Sequence, residues 1–369
     1  MPSTSTSGAL RARILTGDTP SGRLHIGHWV GSLENRVRLQ DTYECYFLIA
    51  NLHAFTTRAD QPAEIARDTL EILKDWLAAG IDPERATVVV QSEVPAITEL
   101  TWHLSMLLPF NRVMRNPTLK DELDVKGLGD KYSFGFPLYA VGQCADILTF
   151  RPALVPVGED QLAHIEMCRE VARRFNHTYC GVDPATPDAG HVAAGGLLPI
   201  PEGLVGRVGR LVGVDGTQKM SKSLGNAIYL TDTTAQIKKK VAQIYTGRVD
   251  MNAPGDTDSA LFQYVRSFIT DPARVTELED RYRRGDAIGD GHVKVEVAAA
   301  IDALLAPMRE RSARFDAPGG EDVLYDIIRT HSARANAAAA ETLGSVREAM
   351  KLRFSREPSG SSRDPHERR

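Results

Sequence analysis

Apolar positions along the chain alternate between short continuous runs and longer stretches in which they recur every three or four residues. The run Arg13-Ile14-Leu15-Thr16 leads through the turn Gly17-Asp18-Thr19-Pro20-Ser21-Gly22 into a stretch that places Ile26, Val30, Leu33 and Val37 on one helical face. Tyr46-Phe47-Leu48-Ile49-Ala50 and Thr87-Val88-Val89-Val90-Gln91 read as two further strands. Between them Pro62 opens a helix bearing Ile65, Leu70, Leu73 and Leu77, and Gly80 closes it, with proline and glycine at the helix ends each suits. A fourth strand, Leu154-Val155-Pro156-Val157, runs through Gly158-Glu159-Asp160 into a helix with Leu162, Ile165, Val171 and Phe175 on one side. Strands that feed helices in succession predict right-handed crossover units and hence an α/β fold with a doubly wound parallel sheet.

From about Thr231 to Leu352 strand signals vanish, and Ala- and Leu-rich segments such as Val295 to Leu305 and Ala337 to Met350 predict a C-terminal all-helical domain. The first dozen residues are rich in Ser and Thr, and the last fifteen, SREPSGSSRDPHERR, hold too few apolar residues to pack. The expected organisation is a disordered tail over 1–11, an α/β domain over 12–225, a helical domain over 226–353 and a disordered tail over 354–369. No internal repeat of fixed period is visible.

With 369 residues, 42% hydrophobic and 25% charged, the chain resembles an average soluble protein long enough for roughly two domains of ~150 residues. Its formal net charge of -4 provides no overall basic field, so any contact with nucleic acid has to come from local patches. The four cysteines form no C-x-x-C pair, which predicts neither a zinc site nor a disulfide framework. Absence of a long apolar run and of a signal-peptide start predicts a cytoplasmic protein with no membrane partner.

Two constellations carry chemistry. Pro20-Ser21-Gly22-Arg23-Leu24-His25-Ile26-Gly27-His28 sits where the first strand gives way to the first helix. In an open parallel sheet that place, beyond the carboxyl end of a strand and at a helix start, suits phosphate. His25 and His28 lie three residues apart and can both donate to one phosphate chain. A lone histidine there is more simply a solvated or capping residue, but two with glycine between them favour the phosphate reading. The second constellation, Lys219-Met220-Ser221-Lys222-Ser223, follows the Gly-containing segment 213–218. Lysines and hydroxyls on a mobile loop can close on a pyrophosphate leaving group as charge develops, although in isolation such a stretch reads as an ordinary solvated loop.

Together HIGH and KMSKS are the two motifs of class I aminoacyl-tRNA synthetases. The segments TGDTPSGRLHIGHWVGSL, QSEVP, CADIL, VPVGEDQLAHIEMCREVARRFN and KMSKS resemble the tryptophanyl branch, over about Arg13 to Leu352. The resemblance implies a Rossmann-type catalytic domain, a helical anticodon-binding domain and a homodimer. Its implied substrates are ATP with Mg²⁺ carried on the phosphates, L-tryptophan and tRNA(Trp), with no protein-bound metal and no DNA partner. It implies that His25, His28, Lys219 and Lys222 stabilise the transferring phosphoryl group. Thr19, Pro20, Ser21, Gly27, His28, Gly158, Glu159 and Asp160 would contact ATP, together with Lys219, Met220, Ser221, Lys222 and Ser223 of the loop. Asp146 matches the carboxylate that accepts the indole N–H. Tyr139 and Gln143, seven and three residues before it, fall on neighbouring turns of a helix. Indole N–H is a donor only, so a buried acid is its natural partner, and an aromatic ring without that donor would leave the acid unpaired.

The chain departs from the pattern in places. Many bacterial tryptophanyl enzymes carry Thr and Asn where this chain has its two histidines, and a Met near the position of Gln143. The triplet Tyr139, Gln143 and Asp146 also resembles tyrosyl enzymes, which usually place a phenol-binding tyrosine where Leu15 stands. An apolar residue at Leu15 suits indole. A diverged amino-acid-activating relative, a nonenzymatic protein on the same fold, and a simpler nucleotidyltransferase are the remaining readings. Basic clusters at Lys238-Lys239-Lys240 and at Arg281, Arg283 and Arg284 could meet tRNA phosphates or could be solvated helix faces.

Overall fold

The computed structural model describes residues 11–354 except 126, 128, 130, 207–210, 223, 249, 251 and 287. Both expected tails lie almost wholly outside the described residues. Five parallel strands form one sheet in the order β3-β2-β1-β4-β5. They are β1 (Arg13–Asp18), β2 (Glu44–Ile49), β3 (Ala86–Val90), β4 (Leu154–Val157) and β5 (Glu202–Val205). The first four match the expected runs to within two residues at each end.

β5 was not anticipated, for a physical reason. It is a short edge strand whose Glu202, Gly203 and Val205 are exposed and whose Leu204 is only half-buried, so it carries no apolar run. The central strands, by contrast, are buried on both faces. Ile14, Phe47 and Val88 belong to one core cluster, and Leu15, Leu48 and Val89 to the other. This two-sided burial is why they read as continuous apolar runs rather than as an alternation.

The strand order turns outward in both directions from the β1/β4 pair. Only Ile14 pairs with Leu154, and beyond it the strands part, the Thr16 hydroxyl donating to the Pro156 carbonyl in place of a ladder bond. Pro156 has no N–H to offer. This is the switch point of a doubly wound sheet, where loops diverge and leave a crevice.

The helix after β1 is not uniform. Ile26–His28 passes into a wider π-helical turn, Trp29–Leu33, before Glu34–Leu39 resumes α-helix. The 62–79 helix begins at Pro62 and ends at Gly80 with φ 113°, as its sequence requires. After Thr231 the regular elements among the described residues are all helices, from Thr234–Ala242 to Gly320–Ala349. Their apolar faces share the core of the sheet: Ile237, Phe262 and Leu305 join the Ile14 and Trp76 cluster. The last helix crosses back and packs on β3, placing Ala335, Ala339 and Val346 in the cluster on the opposite sheet face. Among the described residues no helix is long and apolar enough to cross a membrane, and Cys45, Cys144, Cys168 and Cys180 are all free.

Candidate active site

The turn after β1 is fixed from several directions. Asp18, the last residue of β1, accepts Arg36 Nη1 at 2.6 Å, Arg36 Nη2 at 3.1 Å and Trp76 Nε1 at 3.0 Å. Burial pushes its carboxyl up, but the Arg36 pair outweighs burial and holds it near 2. Asp75 accepts the Leu24 N–H at 2.6 Å, which sets the residue before His25. Ile26 N donates to Ile228 O and Leu230 N to Leu24 O, at 2.9 and 3.1 Å. The first turn is thereby tied to the segment just beyond the Lys219–Lys222 loop.

His25 precedes the helix in extended conformation, φ -126° and ψ 168°. Its backbone N–H donates to His28 Nδ1 at 3.2 Å, which puts the ring proton of neutral His28 on Nε2. The two rings lie 3.8 Å apart. Burial lowers both, with the neighbouring cations adding to it, to about 2 for His25 and about 4 for His28. Both histidines are therefore neutral donors at physiological pH, not cations. A Cβ on Gly27 would sit 2.9 Å from His25 Nδ1, so any larger residue there displaces the ring.

The lysine loop spans the crevice. Lys222 Nζ donates to the Gly22 carbonyl at 2.7 Å and to the Ser21 hydroxyl at 3.1 Å, on the β1 side. Lys219 Nζ pairs with Asp160 at 3.1 Å, on the β4 side. Met220 serves as the anchor between them: its side chain is buried in the core and its N–H donates to Leu211 O at 3.1 Å. Asn226 holds the loop from beneath, accepting Ser221 N–H at 2.7 Å and donating to Asp215 at 2.7 Å and to Lys219 O at 3.3 Å. Ser223 lies outside the described residues. Of the other expected phosphate contacts, Thr19 is exposed and Pro20 gives its carbonyl to Arg58 Nη1 at 3.0 Å. Gly158 and Glu159 open the turn after β4.

The third group lies on the helix Gly135–Thr149, which carries Tyr139, Gln143 and Asp146 on successive turns. Asp146 is buried and accepts Gln91 Nε2 at 2.7 Å, while His53 Nε2 lies 3.5 Å from its other oxygen. Burial pushes the Asp146 carboxyl up to about 8, against the lowering effect of the Gln91 bond. Gln91 is itself pinned, its Oε1 accepting the N–H groups of Leu52 and His53 at 3.0 and 3.3 Å. Gly142 lets His53 lie against the helix, since a Cβ there would sit 2.9 Å from the ring. The Tyr139 ring lies tilted between those of His53 and His164, ring centroids 5.8 and 5.6 Å away. Gln143 reaches Gln161 at 3.4 Å, next to the Asp160 that holds Lys219. Leu15 is buried in the core cluster that includes Ala145 and Ile147 of this helix.

Sequence reasoning missed Asp18, Arg36, Asp75, Gln91, His53 and Asn226. Asp18 and Gln91 could have been found, because each sits at or just past the carboxyl end of a strand, where ligands gather in open sheets. Among the described residues no cluster of potential metal ligands occurs. The basic clusters are largely matched by acids. Arg283 pairs with Glu279 and Asp280, Arg284 with Asp286, Arg281 with Glu277 and Lys240 with Asp232.

A parallel sheet with paired histidines at its first helix start, and a lysine loop bridging its switch point, defines a class I aminoacyl-tRNA synthetase. The family described as tRNA synthetases class I (W and Y) matches residues 9–306. Curated relatives include the tryptophan–tRNA ligase of Clostridium longisporum, 41% identical over 92% of this chain and 97% of its own length. That of Treponema pallidum is 40% identical over the same shares. Among solved structures, tryptophanyl-tRNA synthetase from Campylobacter jejuni complexed with ADP and tryptophan aligns with a TM-score of 0.75 at 30% identity, covering 92% of this chain and all of that one. The chain belongs to this family, in its tryptophan–tRNA ligase branch.

Proposed function

We propose that the chain activates L-tryptophan with ATP and transfers it to tRNA(Trp) in the cytoplasm. The Mg²⁺ arrives on the ATP phosphates as part of that substrate. The tryptophan carboxylate attacks the α-phosphorus, forming tryptophanyl-adenylate and releasing pyrophosphate. The 3′-terminal ribose hydroxyl of the tRNA then attacks the activated carbonyl and AMP leaves. His28 Nε2 and His25 donate neutral hydrogen bonds to the phosphates. Lys219 and Lys222 leave Asp160 and Gly22 to meet charge that develops on the leaving group, and the fixed site acts by positioning and charge stabilisation. Asp146, steadied by Gln91 and His53, accepts the indole N–H.

The observation that carries this reading is the bridge made by one short loop, Lys222 on the β1 side and Lys219 on the β4 side. It stands beside a helix whose buried acid suits a lone donor. Exchange of pyrophosphate into ATP, measured side by side with tryptophan and tyrosine, tests it, and tryptophan is expected to support exchange at least about 10³-fold better. Equal or greater exchange with tyrosine overturns the amino-acid assignment. No exchange with either overturns the activation step.

In this reading residues 12–225 carry activation and residues 226–353 meet the tRNA. Trp102, Met106 and Phe110 are 67%, 60% and 57% exposed along one stretch, an apolar surface of the kind that subunit interfaces cover. A second copy of the chain covers it in the proposed homodimer. Trp102→Asp is expected to weaken self-association about 30-fold, the effect of losing ~2 kcal/mol at a buried aromatic anchor. Sedimentation of the wild type and the variant over a concentration series checks it, and identical profiles place the interface elsewhere.

A further inference from the structure

The last helix, Gly320–Ala349, runs along β3, one of the two edge strands of the sheet. An edge strand presents backbone groups that no neighbouring strand satisfies, and here side chains of this helix take one on β3 and another on the turn Gln91–Glu93 that follows it. Val88 N–H donates to His331 Nδ1 at 2.9 Å, a fully buried bond. Asn336 Nδ2 donates to the Glu93 carbonyl at 2.7 Å, and its position is fixed by a second bond to Ser332 O at 2.9 Å. Burial, with Arg334 adding to it, keeps the His331 imidazole neutral by lowering it to about 4, so the Nδ1 lone pair is free to accept.

The two bonds bracket Gln91, one three residues before it and the other two residues after. Gln91 is the residue whose amide reaches Asp146 at 2.7 Å and His53 at 2.9 Å. A shift of the β3 end by a few tenths of an ångström passes straight into those bonds, because the Gln91 side chain is buried and its Oε1 is committed to the Leu52 and His53 N–H groups. On the other flank, Ala335, Ala339 and Val346 of the same helix lie in the core cluster that holds Ala145, Ile147 and Leu148 around Asp146. The helix therefore touches both supports of the acid, the strand that leads into Gln91 and the core beneath the Asp146 helix.

We propose that His331 and Asn336 are positioning residues for the amino-acid pocket, through which the C-terminal helix sets the geometry of Gln91 on Asp146. The inference rests on the assignment of Asp146 to the tryptophan indole. His331→Leu removes the acceptor and leaves Val88 N–H buried and unpaired, whereas asparagine places an oxygen at nearly the same point as Nδ1.

The test measures KM and kcat for tryptophan and KM for ATP in pyrophosphate exchange, together with Tm, for full-length wild type, His331→Leu, His331→Asn and Asp146→Ala. Expected is a five- to tenfold rise in tryptophan KM for His331→Leu at unchanged ATP KM, and recovery to within twofold in His331→Asn. A loss confined to Tm or kcat, with tryptophan KM unchanged, means that the helix only stabilises the fold and overturns the proposal. If His331→Leu does not fold, Asn336→Ala is read in its place, a raised tryptophan KM supporting the proposal and an unchanged one overturning it. An Asp146→Ala enzyme that binds tryptophan normally overturns the pocket assignment itself, and so separates that failure from one in the helix.

Discussion

Lys222→Ala is expected to slow tryptophan-dependent pyrophosphate exchange by about 10²- to 10³-fold, the usual cost of removing one preorganised group that meets charge developing in the transition state. The geometry supports the role proposed for this lysine. Its ammonium is already drawn onto the first turn, 2.7 Å from the Gly22 carbonyl, so closing the loop costs little further ordering once phosphate replaces that carbonyl as partner. Burial lowers its pKa, the mark of an ammonium stripped of part of its hydration, and such a charge gains more from an anion than one in open water. The same substitution leaves Asp146, Gln91 and His53 untouched, so the Kd for tryptophan is expected to stay within twofold. Rapid-quench measurement of adenylate formation, beside equilibrium binding of tryptophan, separates the two quantities. Adenylate formed at the wild-type rate removes the loop from the chemistry.

What could be read from the chain beforehand follows the range of the interactions involved. β1 to β4 were legible because each is buried on both faces and writes an uninterrupted apolar run, while β5 has three exposed residues in four and writes none. The two motifs were legible because their chemistry is local: His25 and His28 sit within one turn, and Lys219 to Lys222 on one loop. The supports of those motifs are not local. Asp18 finds Trp76 across 58 residues, Gln91 finds Asp146 across 55, and Val88 finds His331 across 243. No spacing rule reaches so far, since these pairs exist only after the sheet and its flanking helices have assembled. Protonation was hidden for the same reason. The sequence presents His25 and His28 as donors to phosphate, but only their burial beside the loop lysines makes them neutral ones.

Asp146→Ala is expected to lower kcat/KM for tryptophan by about 10²-fold above about pH 8, where the carboxyl is ionised, since a hydrogen bond to a charged group contributes up to ~3 kcal/mol and 1.4 kcal/mol is a factor of ten. The wild type should also show a pH dependence that this variant lacks. With its carboxyl near 8 in the free protein, Asp146 is mostly protonated at neutral pH, and the ionised form is the better acceptor for indole. Tryptophan KM is therefore expected to fall about fivefold between pH 7 and pH 8, as the ionised fraction rises from about a tenth to a half, and binding in that window releases a proton. Stability runs the other way. A carboxyl that binds its proton more tightly when folded than when unfolded favours the fold at acid pH, and that contribution is lost as pH rises from about 4 toward about 8. The fold thus gives up stability to keep an acid buried at this point, and in the proposed pocket a bound indole N–H would recover part of it by pairing with the charge. Tryptophan KM profiles and thermal melts of wild type and Asp146→Ala across pH 5 to 8.5 check both slopes. A wild-type KM that is flat with pH while the variant still loses activity would mean that Asp146 orients Gln91 and His53 rather than pairing with the substrate as a carboxylate.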